Sequence, residues 1–346
     1  MRVSPRRAFV VLALALLVVV LVAVGRGAVA LSPGEVICAL ADRLGLSLGD
    51  VAPRKIAILW SIRLPRVVLA ALVGAALASS GASLQGIVRN PLADPTLIGM
   101  SGGAALGAIS YLVIGARWLP AELAAWAMPA TAFAGALIAT LLAIGLARVD
   151  GRTSAASMLL GGVGIASLTS AAYGLLLYVA DDTAQRSITF WLLGSIGGAT
   201  WPVVGAVAIP ITAALVCGPR LAGALDRLSL GELEARHVGV DVERVIRATA
   251  ILAALAVGAA VATCGVIGFV GLVVPYLVRG ALGPSHRTLL PASALGGAIL
   301  LVLADLVART VAAPAEIPVG VMTALVGAPV LLLLVRRRGG GEALLG

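Results

Sequence analysis

The sequence predicts an all-α polytopic membrane protein with about ten transmembrane helices. Of its 346 residues, 60% are hydrophobic and only 12% charged, and the mean hydropathy is +1.09. A soluble domain would carry about 25% charge. Apolar runs recur from end to end, most near the roughly 20 residues that a bilayer crossing takes. Basic residues also gather in alternate loops, as they do when one face of the protein is cytoplasmic.

The predicted spans lie near 8–30, 64–86, 94–114, 122–147, 155–179, 200–217, 246–264, 266–282, 288–308 and 317–335. The opening MRVSPRR and its long apolar run are read as the first span, since no small-residue cleavage site ends the run. Residues 31–62 read as a long first outer loop of mixed polarity. Asn90-Pro91 should stop the second span, because proline lacks an N–H and disfavours helix in the residue before it. Asp94-Pro95 should start the third, Asp as N-cap and proline at the first helical position. That span opens with Gly99, Ser101, Gly102 and Gly103, which favour close helix approach in lipid. The run 187–197 is apolar but too short to cross, so it reads as a half-helix dipping in from outside. The stretch 246–282 is too long for one crossing and is split at Cys264-Gly265. With the N-terminus inside, this topology puts about 16 of the 25 Lys and Arg in the cytoplasm and leaves both termini there.

An internal repeat accompanies this pattern. VGAALASSG at 73–81 matches VGAAVATCG at 257–265 in six of nine residues, and the same offset of 184 pairs Arg63 with Arg247 and Pro91 with Pro275. Five crossings separate the copies, so they run in opposite directions. The chain thus reads as one domain, 1–346, with inverted halves near 63–186 and 247–336, a common transporter design that argues for alternating access.

The run RLPRVVLAALVGAALASSGASLQGIVRNPLADPTLIGMSGGAALG, from Arg63 to Gly107, resembles the permease subunits of the iron-siderophore, haem and cobalamin class of ABC importers. The resemblance implies a type II ABC importer permease fold in the bacterial inner membrane. It implies as partners a second copy of the chain, two ABC ATPase subunits and a periplasmic substrate-binding protein. No catalytic role or cofactor falls to this chain: its one lysine, Lys55, excludes a P-loop. ATP and Mg would be bound by the ATPases. The expected cargo is an iron chelate, haem first, then a ferric siderophore or cobalamin. No metal site is expected, since Cys38, Cys217 and Cys264 have no ligand spacing. The net charge of +9 follows from the cytoplasmic bias and does not call for nucleic acid.

The resemblance also marks residues. The family docks acidic residues of the binding protein on outer-face arginines, which coincide with Arg63, Arg66 and Arg309. Guanidinium suits this through paired hydrogen bonds to carboxylate. The charged inner loop 218–247 holds GELEARHVG between Gly231 and Gly239. It implies an ATPase-coupling helix with contacts at Glu232, Ala235, Arg236, His237, Val238 and Gly239. Asn90, Thr153 and Ser154 match cytoplasmic gate positions, though helix capping alone would also favour them. The stretch YVADDTAQRSITFWLLGSIGGATW resembles the haem branch. Asp181, Asp182 and Arg186 would then line the outer mouth, Arg186 facing a haem propionate and pairing with an aspartate when empty. His237 and His286 are expected in cytoplasmic loops.

Two other readings predict different residues. An ion-coupled transporter needs a carboxylate within the membrane, where only Asp305 falls, near an outer end. An intramembrane enzyme needs a catalytic pair, and the sequence suggests none.

Overall fold

The computed structural model describes residues 4–27, 29, 31–43, 45–46, 49, 51–118, 121–149 and 152–339. The order is α1 (Pro5–Gly25), α2 (Pro33–Asp42), α3 (Pro53–Ile58), α4 (Leu64–Val88), α5 (Met100–Val113), α6 (Ala121–Leu146), α7 (Ala155–Val179) and α8 (Asp182–Leu192). Then follow α9 (Trp201–Cys217), α10 (Ala222–Leu228), α11 (Glu232–His237), α12 (Val242–Cys264), α13 (Val270–Leu282), α14 (His286–Val311) and α15 (Val319–Gly339). One hairpin of two-residue strands, Arg148–Val149 with Arg152–Thr153, joins α6 to α7. Among the described residues, seven helical stretches are long and apolar enough to cross a membrane, and three shorter apolar helices (within α5, α13 and α15) complete the ten.

Three expectations about local structure are corrected. Residues 31–62 are not one loop. Ser32 and Glu35 form a capping box that starts α2, and α3 runs through a π-helical turn, Leu59–Arg63, straight into α4. Lys55 pairs with Glu35, the Trp60 indole donates to the Ala39 carbonyl, and the Trp201 indole donates to Trp60, so this segment folds over one end of the bundle. The α-helix of the third span does not begin at Asp94-Pro95. Pro95–Ile98 form a 3-10 turn, and α5 begins at Met100 behind Gly99 at φ 82°, a left-handed conformation that glycine adopts without strain. Of the 187–197 piece only residues 187–192 are helical, in a helix that begins earlier, at Asp182, and ends at Leu192.

α4 and α12 form the centre. Alanine and glycine fill both, and their most apolar 18-residue windows are 78% and 72% buried. α4 packs on α13 and α14, while α12 packs on α5 and α6, and α4 and α12 touch each other. Closeness depends on glycine. A Cβ on Gly81 would strike the Gly271 carbonyl; Gly74 and Gly297 would strike each other's carbonyls, and so would Gly103 and Gly135. Aliphatic side chains have no reason to leave lipid for one another, so such contacts supply the attraction between helices. The outer helices are apolar outwards: α1 and α7 are only 11% and 17% buried over the same kind of window.

Two interruptions have the same form. Residues 89–99 begin with Arg89 at φ 54° and end with Gly99 at φ 82°; residues 265–269 begin with Gly265 at φ 70° and end with Phe269 at φ 66°. Each precedes a short helix, α5 or α13. The first break packs on the first turn of α13, where a Cβ on Gly271 would press on the Pro95 ring. Gln85, 2% exposed, donates to Ala93 within that break and to Gly271 just after the other, both at 3.3 Å.

Gly74→Ala and Gly81→Ala should each lower the thermal midpoint of the purified protein by several degrees, the overpacking of a tight core costing about 1–3 kcal/mol. Gly164→Ala, whose Cβ would meet nothing within 4 Å, should leave it unchanged or raise it. Equal effects at all three positions would contradict glycine-dependent packing.

Candidate functional site

At the end that carries α2 and α8, charges are buried together. Arg63 and Arg66 are 4% and 8% exposed, and the Arg309 side chain 7%. Arg66 is held on two sides: Nε donates to both oxygens of Asp305 at 3.0 and 3.1 Å, and its two terminal nitrogens donate to Glu316 at 2.8 and 3.0 Å. Arg309 sits one turn along α14 from Asp305, 3.5 Å from its Oδ2. Arg309 also donates to the Ala23 carbonyl, and Arg63 donates to the carbonyls of Val24, Gly25 and Val29, at 2.7 and 3.0 Å for the first two. Both thereby satisfy carbonyls at the C-terminus of α1, which has no intrahelical partner for them and carries the negative end of the dipole.

The expectation of three arginines presented to a partner is therefore corrected: all three are buried and committed to internal acceptors. The Arg66 hydrogen bond holds the half-exposed Glu316 carboxyl below the ordinary glutamate range. Asp305 is flanked by Arg66 and Arg309 and committed to these internal pairs.

The opposite end carries α10 and α11. Gly231 at φ 138° and Gly239 at φ 82° do bracket α11. Ala235 is fully buried, which corrects its assignment as a partner contact. Arg236 is half-buried, while His237, Val238 and Gly239 are exposed. Glu232 points inward, its Oε1 accepting from the Ala155 N–H of α7 at 3.1 Å. Sequence reasoning named Val238, 59% exposed, but missed Leu230 and Leu233 beside it, 71% and 63% exposed; the phase of α11, fixed by buried Ala235, is what turns Leu233 outwards.

The residues expected at the cytoplasmic gate are split. Asn90 is exposed and its Oδ1 accepts from the Leu92 N–H at 2.9 Å, an Asx turn at the 89–99 break. Ser154 is the N-cap residue of α7, but its hydroxyl makes no capping bond. The Thr153 side chain lies outside the described residues. A cavity of about 350 Å³ brings Ser154 and Glu232 together with Val88, Arg89 and Glu234.

At the α8 end, Asp181 is the N-cap, its Oδ1 accepting from the Ala184 N–H at 2.8 Å. Asp181, Asp182 and Arg186 are all exposed. Arg186 forms no ion pair with either aspartate among the described residues, so the expected resting pair is corrected: the capping bond occupies Asp181. A cavity of about 280 Å³ beside α8 is lined by Asp181 and by Leu112 and Val113 of α5, but not by Arg186.

A second polar group was not legible. His286 is not in a loop; it is the first residue of α14 and 1% exposed. Asp226 of α10 lies 2.7 Å from both its Nδ1 and its backbone N, and accepts from Ser285 at 3.0 Å. This is a Ser-His-Asp cluster without catalytic geometry, since the hydroxyl faces the aspartate and His286 Nε2 is buried against Gly86. Arg279 donates to Gln85 at 3.2 Å nearby. Nothing in spacing relates Asp226 to His286, 60 residues on. Among the described residues, no three His, Cys, Asp or Glu side chains gather as a metal site.

The family model described as the FecCD transport family matches residues 15–337. The hemin transport system permease protein HmuU of Yersinia pestis is 45% identical over 281 residues, covering 81% of this chain and 84% of that protein. The vitamin B12 import system permease protein BtuC of Vibrio cholerae is 43% identical over 282 residues, covering 81% and 83%. A solved chain described as a metal-chelate type ABC transporter in an inward-facing conformation superposes with a TM-score of 0.82 at 32% identity, covering 96% of this chain and all of that one. PsaBC of Streptococcus pneumoniae, at 19% identity and a TM-score of 0.55, shares the fold alone. On the extent of these matches, the chain belongs to the FecCD transport family, as a membrane-spanning permease.

Proposed function

We propose that this permease imports haem across the bacterial inner membrane by alternating access, as a homodimer with two ATPase subunits and a periplasmic binding protein. The observation that carries the reading is 45% identity to a hemin permease over 84% of that protein's length. The identities to cobalamin permeases are close, 43% and 45%, so cobalamin is the second reading. The α2/α8 end is the outer one and the α10/α11 end the inner one, with both termini inside; the arginines of the N- and C-terminal segments support this orientation. Halves near 63–186 and 247–336 form an inverted repeat; breaks of like form precede the short helices α5 and α13, the second beginning eight residues before the position that the 184-residue offset gives. Short, interrupted helices at equivalent places are where transporters of this design rearrange.

The cytoplasmic ATPase sits on α11. Leu230, Leu233 and Val238 supply an apolar core and Arg236 and His237 a polar rim, the composition of a specific interface.

In vesicles containing the full complex, ATP should drive uptake of haem faster than of cobalamin or a ferric siderophore. Preference for cobalamin would select the second reading; uptake driven by an ion gradient without ATP would refute both. Leu233→Asp with Val238→Asp should lower ATPase co-purification at least tenfold while leaving the permease folded, as judged by its thermal midpoint. Undiminished co-purification would place the ATPase elsewhere.

A further inference from the structure

The N-terminus of α7 is capped from another part of the chain. Any helix begins with N–H groups that lack intrahelical acceptors, and serine at the N-cap normally serves one of them. Ser154 has the extended backbone of an N-cap, φ −109° and ψ 137°, yet its side chain accepts nothing. Its own N–H closes the α6–α7 hairpin on the Ala147 carbonyl. The acceptor at the first turn is Glu232 Oε1, 3.1 Å from the Ala155 N–H and 77 residues away in sequence. A carboxylate there is favoured twice, by the hydrogen bond and by the positive end of a 25-residue helix.

The bond joins two packed elements. α11 is a six-residue helix seated by Ala235, 0% exposed, on α10 and α12. α7 packs on α5 and α6, and its first turn buries Ala155 and Met158, 4% and 0% exposed. Beside the bond lies the 350 Å³ cavity, which leaves room for the α7 terminus to shift against Arg89 at the 89–99 break.

We propose that Glu232 is a positioning residue that transmits movement of α11 to the inner end of α7, so that coupling and gating share one hydrogen bond. This rests on the reading of α11 as the ATPase seat. In it, Glu232 does not touch the ATPase; it drags Ala155, and with it Ser154.

The test needs no knowledge of cargo. Ser154→Cys is introduced with Cys217→Ser, which removes the exposed native thiol, and the permease–ATPase complex is placed in nanodiscs. Labelling by a water-soluble maleimide is timed without nucleotide and with ATP trapped by vanadate. The expected result is a several-fold change in labelling rate on trapping. Glu232→Ala should reduce that change to less than twofold with the ATPase still bound. Glu232→Gln, whose amide oxygen can still accept the Ala155 N–H, should keep most of it. Glu232→Asp, one methylene shorter, should behave like alanine. The proposal is overturned if trapping changes nothing in the parent, if Glu232→Ala responds like the parent, if Gln fails as Ala does, or if Glu232→Ala releases the ATPase. Failure of the underlying reading looks different: the ATPase then stays bound to Leu233→Asp with Val238→Asp.

Discussion

A carboxylate inside a membrane span sets the terms for one end of this protein. Asp305 is 1% exposed, and a lone charge there would be intolerable. It persists because Arg66 and Arg309 flank it. Those cations need further acceptors, which draws in Glu316 and the terminal carbonyls of α1. With Arg63, three positive and two negative groups leave one net positive charge, shared over α1, α4, α14 and the segment before α15. Little of α1 is buried, so side-chain packing alone holds it weakly. Its end is fastened by two arginines instead.

The bundle interior is joined differently. Glycine contacts bring α4 to α13 and α14 within backbone reach, and Gln85 ties the 89–99 break to the first turn of α13. Leu69, Leu84, Ile87 and Leu301 are buried around these contacts, so the interior is tightly fitted. Charge pairing fastens one end, close glycine contacts the middle, and a Glu232–Ala155 hydrogen bond the other end.

Most of the architecture was legible because lipid imposes length and composition on every span. The ten spans, the split at Cys264-Gly265 and the glycine brackets of α11 could be read directly. The first outer segment was misread because its helices are short and polar, stabilised by Glu35–Lys55 and the Trp60 contacts rather than by periodicity. Site residues were legible as chemistry but not as orientation. Arg63, Arg66 and Arg309 were marked correctly as a group at one end, yet their acceptors lie on other helices, 239 residues away for Arg66 and Asp305. Ala235 rather than Leu233 was marked as a contact because a six-residue helix carries too little pattern to fix its phase. The Asp226–His286 contact had no local signal at all.

The charge lock is tested most directly by a double-mutant cycle on Arg66 and Asp305, each replaced by leucine, singly and together, with thermal unfolding of the purified protein as readout. Breaking one side of a buried pair costs about 3–5 kcal/mol, because the remaining charge is stranded. The account predicts that each single variant loses several degrees and that the double variant is no less stable than the worse single, a coupling of at least about 1 kcal/mol. Losses that simply add in the double variant would contradict it.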